Sequence, residues 1–521
     1  MEEIEKIYRE LIDKENFAEW SFDKAIQSIG VLVDISCDLS KADGLNHAIK
    51  QADILLSKNL SEMQKSTIYY FAGNAWSGLR ALKHSNTKAV WDWQQTEIEN
   101  EILNFRLFNR CLTSDKNSSY FCQANTNLGN TLSHVGRFID AIMYWDAALK
   151  CNPSFGMALA NKGYGLISYA RSLYDNGHVG IFLKFAYSFL KRGLETKEVH
   201  LGARKVFDHA IEDIETRTSK RFLEEALDMN SHTLGDSEAE KKYRKWCLNN
   251  QLFVNPLNDL GPYNIAARDV LSCPSITTSI DDGSYFPPVY FTFYNQLKQE
   301  YGSARYLFYE SLQTQEPHYS DSDVQLYNTL DYPCYGLNIE KAKIVFRMAY
   351  SIFDKIAYFI NEYLKLRAPE TKVSFKTIWY EKQKKHEGLR KEFVDFENWP
   401  LRGLFWLAKD LSENRSEFYE SMEPDAKDLV KTRNYLEHKY LTITEYDMST
   451  VDEKRDNEKN KIYVIQREEF VLKTLRLMKL ARAALIYLSL GIHIEERKKT
   501  SKVDGIITSM PLDIWEDDWK V

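Results

Sequence analysis

The residues best suited to chemistry lie in KTRNYLEHKYL, Lys431 to Leu441, where Arg433, Asn434 and His438 form an Arg-x4-His arrangement. A histidine imidazole ordinarily titrates near pH 6.5 and can exchange protons at neutral pH, whereas a guanidinium stays charged and can grip a phosphate. On a helix turning about 100° per residue, Arg433 and His438 stand about 140° apart, while Asn434 and His438 are i and i+4 and lie nearly in line. Leu429, Leu436 and Tyr440 are expected to point into the protein, which leaves the line through Asn434 and His438 free to face a groove or a second subunit. Spacing does not select this copy, because Arg204 to His209, RKVFDH, repeats it. Context does: a lysine rather than a small polar residue follows Arg204, and no suitable bundle helix comes after it.

Other signatures are absent from the sequence: no GxxxxGK[ST] phosphate loop, no GxGxxG, no HExxH, no GxSxG and no EF-hand loop. The seven cysteines (Cys37, Cys111, Cys122, Cys151, Cys247, Cys273 and Cys334) form no CxxC pair. A structural zinc site or disulfide framework is therefore not expected, and no metal or cofactor is assigned. The PDAK string at Pro424 to Lys427 opens a helix, where proline and acidic residues are already favoured.

A frame must position these groups. The 521 residues are 44% hydrophobic and 27% charged, with 12 Pro and 22 Gly, which leaves little material for long linkers and suggests about three packed units in succession. The net charge of −7 excludes nucleic-acid binding by overall field, so any such contact must be local. No run of about 18 apolar residues occurs, Ala483 to Leu490 being the longest candidate, and MEEIEKIYRE lacks the apolar core of a signal peptide. No membrane contact and a cytoplasmic location are expected.

The expected class is all α. Residues 1–230 read as amphipathic helices with brief breaks. Leu128, Gly129, Leu132, Gly136, Ala141, Trp145, Ala148 and Pro153 fall at the spacing of a 34-residue helix-turn-helix unit that resembles a tetratricopeptide (TPR) repeat. Weaker copies fall around Ala48 and Ala52, around Gly73 and Trp76, and around Gly163 and Leu166 with a second helix near Ala186 to Gly193. Small residues at Gly129 and Ala141 let two helices approach, Trp145 fills the groove and Pro153 ends the second helix. The stack predicts a short solenoid whose concave face can take a peptide or protein ligand. Residues 231–286 read as a connector, with Trp246, Leu252 and Phe253 before a turn-rich NPLNDLGP. Residues 287–495 read as a helical bundle: Val289 to Gln313, Ile339 to Leu366, Trp399 to Ser412, Pro424 to Leu441, and Gln466 to Leu490 closed by Gly491. Val451 to Lys461 reads as a solvated charged connection. Residues 496–521 form a tail, with Trp515 and Trp519 among acids, that could latch onto the repeats or the basic His493 to Lys502 segment.

The pattern Arg, polar residue, then His on a bundle helix resembles the HEPN superfamily. FYNQLKQEYGSARYLFYESL, Phe293 to Leu312, looks like an opening helix of such a bundle, and the resemblance spans roughly residues 240 to 495. It implies a metal-independent endoribonuclease that works as a homodimer, with two motif copies lining one cleft, and by analogy a regulated toxin or antiviral (phage-defence) effector. In that reading His438 takes the proton of an RNA 2′-OH and returns one to the leaving oxygen. Arg433 holds the scissile phosphate, Asn434 orients His438 or the phosphate, and Lys431 and Lys439 add positive charge for RNA. Glu437 is expected to pair with one of these lysines. Two rival readings stand: a non-catalytic scaffold binding protein or RNA, and an accessory to a nucleotidyltransferase.

Overall fold

A computed structural model describes residues 2–84, 91–112, 119–196, 198–278, 289–313, 316–328, 332–384, 387–411, 426–446, 462–504, 506–508 and 511–520. Over these residues the chain is all α apart from one pair of short strands. The first helices are α1 (Glu2–Ile12), α2 (Phe22–Asp38), α3 (Ala42–Leu56), α4 (Glu62–Lys83), α5 (Thr96–Cys111), α6 (Phe121–His134), α7 (Phe138–Cys151), α8 (Gly156–Ser172), α9 (Asn176–Glu195), α10 (Leu201–Arg217), α11 (Lys220–Glu224) and α12 (Glu238–Asn249). The later ones are α13 (Val289–Ser311), α14 (Leu337–Tyr363), α15 (Trp399–Asp410), α16 (Ala426–His438) and α17 (Arg467–Thr500).

Glycines set how closely the helices of each hairpin pack. A Cβ on Gly129 in α6 would lie 2.6 Å from Nε1 of Trp145 in α7. That indole N–H donates to Asn130 Oδ1 at 3.0 Å. In the α8/α9 hairpin Gly163 lies under Leu190 and Gly193 under Ala160 in the same manner. Gly136, in the α6–α7 turn, has φ 85°, a left-handed conformation that glycine adopts without strain. A Cβ there would also collide with the Trp399 carbonyl at 2.0 Å, and one on Gly403 would meet the Gly136 carbonyl at 2.2 Å. The two glycines let the α6–α7 turn lie directly on α15.

Buried ion pairs complete that contact. Arg106 of α5 donates two bonds of 3.0 Å to the Asp410 carboxylate of α15, and Arg137 donates to the same carboxylate. Arg137 also reaches Asp140 at 2.8 Å, which in turn accepts from Arg476 of α17 at 3.2 Å. Burial pushes the Asp410 carboxyl up, but the two guanidiniums more than offset it and hold it below its ordinary value. One apolar core accordingly runs from Trp93 to Ile492, and a second, formed by α1 to α4, runs from Tyr8 to Ala75. After α12 the chain turns through Leu252 to Asp259. Arg305 donates to the Leu252 carbonyl at 3.0 Å, and Arg482 donates to the Asn255 carbonyl at 2.9 Å and to Asp259 at 2.6 Å.

His134 closes α6 under α15, where burial, with Arg402 and Arg80 adding, pushes its imidazole down to about 3. The folded protein therefore refuses a proton that the unfolded chain accepts between pH 6.5 and about 3. Stability from this residue is complete above pH 6.5 and falls as the pH drops through that window, by at most about 1.4 kcal/mol per pH unit. His134→Gln should flatten this part of the stability profile in urea titrations from pH 7 to 4; parallel profiles for the two proteins would contradict it.

α17 departs from expectation. It continues ten residues' worth of chain past Leu490 to Thr500, and Gly491 lies inside it, where a Cβ would come within 2.6 Å of Leu401 of α15. Gly491 is there for close packing, not to end the helix. By length and composition α17 could cross a membrane, which a search for one unbroken apolar run passes over, but 83% of its apolar window is buried inside the protein. It is the central helix of the bundle, flanked by α13, α14 and α15.

The strands were not anticipated. β1 (Tyr440–Thr444) follows α16 directly and pairs in parallel with β2 (Ile462–Gln466), which runs into α17; Tyr440 lies beside Ile462 and Thr444 beside Gln466. Pro333 bridges Thr444 on the other side of β1, and the Cys334 N–H donates to the Ile443 carbonyl at 2.6 Å. The charged segment Val451 to Lys461 lies outside the described residues. The described part of the tail is exposed, with Trp515 and Trp519 packed edge to face.

Candidate active site

The motif helix α16 is seated between α14 and the strand pair. Leu429, Leu436 and Tyr435 form its buried side, and Tyr435 packs 5.4 Å from Tyr463 of β2. Its last turn is held by Arg347 of α14, which donates to the Leu436 carbonyl at 2.6 Å. That bond satisfies a carbonyl which a helix end leaves without an internal partner. The helix stops at His438 instead of Leu441, so Tyr440 sits on β1, 75% exposed, and does not join the buried stripe as expected.

Asn434 and His438 both face solvent, as their shared line requires. Arg433 is half-buried and leans toward α14, its guanidinium 5.2 Å over the Tyr350 ring, while its Nη1 donates to Asn434 Oδ1 at 3.4 Å. Burial, with Asp354 adding, pushes the Tyr350 phenol up to about 12 against the opposing pull of Arg433, so the ring is a neutral support for that cation. The structure brings Arg433 and Asn434 together; His438, the last residue of α16, has no side-chain partner among the described residues. Lys431 Nζ stands 3.9 Å over the Tyr463 ring and Lys439 Nζ 4.8 Å over Tyr435. Glu437 pairs with Arg347 at 3.6 Å and not with either lysine, because that arginine reaches across from α14.

Arg347, Tyr350 and Tyr463 escaped sequence reasoning. Arg347 and Tyr350 share a helix face at i and i+3, but nothing in their spacing says that α16 covers that face. The second Arg-x4-His copy serves structure: Arg204 donates to the carbonyls of Leu194 and Thr196 at 2.9 and 3.0 Å and closes α9, and His209 lies 3.5 Å from Glu212. Among the described residues no group of three or more His, Cys, Asp or Glu is placed to hold a metal ion.

The helices α13 to α16, most of α17 and the motif they carry fall within one family match: residues 282–495 fit the model described as LA2681-like HEPN. This part of the chain is a HEPN domain. No curated protein and no solved structure matches the chain. The HEPN domain begins just before α13, contains α14 with Arg347 and Tyr350, and carries Arg433, Asn434 and His438 on its α16. Residues before it supply α5 to α7, whose Arg106 and Arg137 pair with Asp410 inside the HEPN domain.

Proposed function

We propose that the chain is a metal-independent endoribonuclease of HEPN type. The observation that carries this reading is the placement of His438 and Asn434 on the open side of α16, with Arg433 bonded to Asn434, inside a HEPN domain. The neutral His438 imidazole takes the proton of an RNA 2′-OH, and the 2′-oxygen attacks the adjacent phosphorus. Arg433 neutralises the charge that builds on the phosphate, with Lys431 and Lys439 nearby. The 5′-oxygen leaves with a proton returned by an imidazolium, giving 2′,3′-cyclic phosphate and 5′-hydroxyl ends. Since Arg433 and His438 point to different sides of one helix, the cleft is completed by a second copy of α16 in a homodimer. The helices before the HEPN domain bind a protein or peptide that regulates cleavage, as suits a toxin or antiviral effector acting in the cytoplasm.

A competing reading, a non-catalytic scaffold that binds protein or RNA, draws on the lean of Arg433 toward Tyr350 and away from His438. The two separate on the nucleophile. An oligonucleotide cut at one position should become resistant when that single nucleotide is replaced by its 2′-deoxy form; cleavage there at an unchanged rate would rule out 2′-oxygen attack.

A further inference from the structure

The α6–α7 hairpin begins and ends in a thiol. Cys122 is the second residue of α6 and Cys151 the last of α7, so both stand at the open end, away from the turn that Gly136 seats on α15. Their alignment follows from the register of the hairpin. Gly129 faces Trp145, and about two helical turns from that contact, back along α6 and on along α7, the chain reaches Cys122 and Cys151. The Cys122 thiol donates to the Ala148 carbonyl at 3.6 Å. Ala148 and Cys151 are i and i+3 on one helix face, and the Cys151 thiol lies within hydrogen-bonding reach of the same sulfur.

Both thiols are free, Cys151 exposed and Cys122 half-buried, so a reagent from solvent meets Cys151 first. Burial, then Cys151 itself, with Glu198 adding, push the Cys122 thiol up to about 11. Among the described residues the other cysteines have different surroundings. Cys37 stands by Asp34 and Asp38, Cys111 by Glu62 and Cys334 by Glu445, acids whose charge disfavours a thiolate, and Cys247 and Cys273 are buried.

We infer that Cys122 and Cys151 form a redox-modification site, which a small-molecule disulfide converts into a reversible disulfide bond across the open end of the α6–α7 hairpin. The Cys151 thiolate attacks one sulfur of the reagent, forming a mixed disulfide and releasing one thiolate. Cys122, as thiolate, then attacks the Cys151 sulfur, breaks that mixed bond and releases the second. Two protein thiols are oxidised by two electrons, the reagent is reduced to two thiols, and the two protons pass to them. Cys151 no longer holds the Cys122 proton in place once it carries the mixed disulfide, and a thiol already in contact attacks at high effective concentration. The bond fastens the hairpin whose other end presents Arg137 to Asp410 of α15. This inference stands apart from the ribonuclease reading.

The test equilibrates reduced full-length protein with mixtures of reduced and oxidised glutathione, followed by acid quenching, alkylation in urea and tryptic peptide mass analysis. One cross-linked species should appear, joining the Cys122 and Cys151 peptides with the loss of two hydrogens, and dithiothreitol should dissolve it. The other five cysteines should be alkylated. Cys122→Ser should instead hold one glutathione on Cys151, and Cys151→Ser should give no cross-link. Oxidised wild type should unfold at a higher urea midpoint than reduced, since a closed loop restricts the unfolded chain, and neither serine variant should show that rise. Glutathione retained on Cys151 of the wild type, linkages spread over other cysteines, or full alkylation of both thiols at the most oxidising mixture would each overturn the inference.

Discussion

His438→Ala should reduce RNA cleavage by roughly 10²–10⁴-fold, the usual contribution of a positioned general acid–base group. The folded state should be almost untouched, within about 0.5 kcal/mol, because the imidazole is exposed and without a side-chain partner among the described residues. The combination matters more than either half. A large loss of rate with an unchanged urea midpoint places His438 in the chemistry, whereas a loss matched by unfolding would say only that α16 needs the residue. An exposed histidine whose side chain has no partner among the described residues is an unusual place for a structural requirement. Cleavage within threefold of wild type would remove His438 from the mechanism.

Asp410→Ala should do the opposite, costing about 3–5 kcal/mol of stability without touching the motif. Asp410 is 4% exposed and accepts from both Arg106 and Arg137, which are 2% and 1% exposed. Without its carboxylate, two buried guanidiniums lose the acceptor they share, while Arg137 keeps its bond to Asp140. Since Arg106 and Arg137 come from α5 and the start of α7, the damage should fall on the seam between those helices and α15. Limited proteolysis should then cut first near that seam, and chemical denaturation should show the loss as a lowered midpoint. A shift under about 1 kcal/mol would mean that the pocket admits water and the ion pairs are effectively solvated.

Much of the helical frame is legible in the sequence, and the reasons are local. Gly129 and Trp145 mark a close helix pair because a missing side chain and a large one must sit opposite each other, and a Cβ added to Gly129 would collide with the Trp145 indole at 2.6 Å. The motif helix was placed within three residues of its end. What sequence could not show depends on partners distant in the chain. Gly136 reads as a repeat position, yet its lack of a side chain also serves the Trp399 carbonyl, 263 positions later in the chain. Gly491 reads as a helix stop, yet α17 passes through it because burial on α15 outweighs the cost of an internal glycine. Tyr440 looked like the next turn of a buried stripe; the strand register gave it to the opposite face. Of the site, the solvent-facing line of Asn434 and His438 follows from 3.6-residue periodicity alone. The support beneath Arg433 does not, since Tyr350 is contributed by another helix with no motif to announce it.

The most direct measurement is of the ends of RNA fragments. Purified full-length protein is incubated with total RNA in excess EDTA, and fragment termini are identified by enzymatic end-labelling and mass spectrometry. The account predicts fragments carrying 2′,3′-cyclic phosphate and 5′-hydroxyl ends, absent when His438→Ala replaces the wild type. Fragments ending in 5′-phosphate and 3′-hydroxyl, or cleavage that EDTA abolishes, would contradict it.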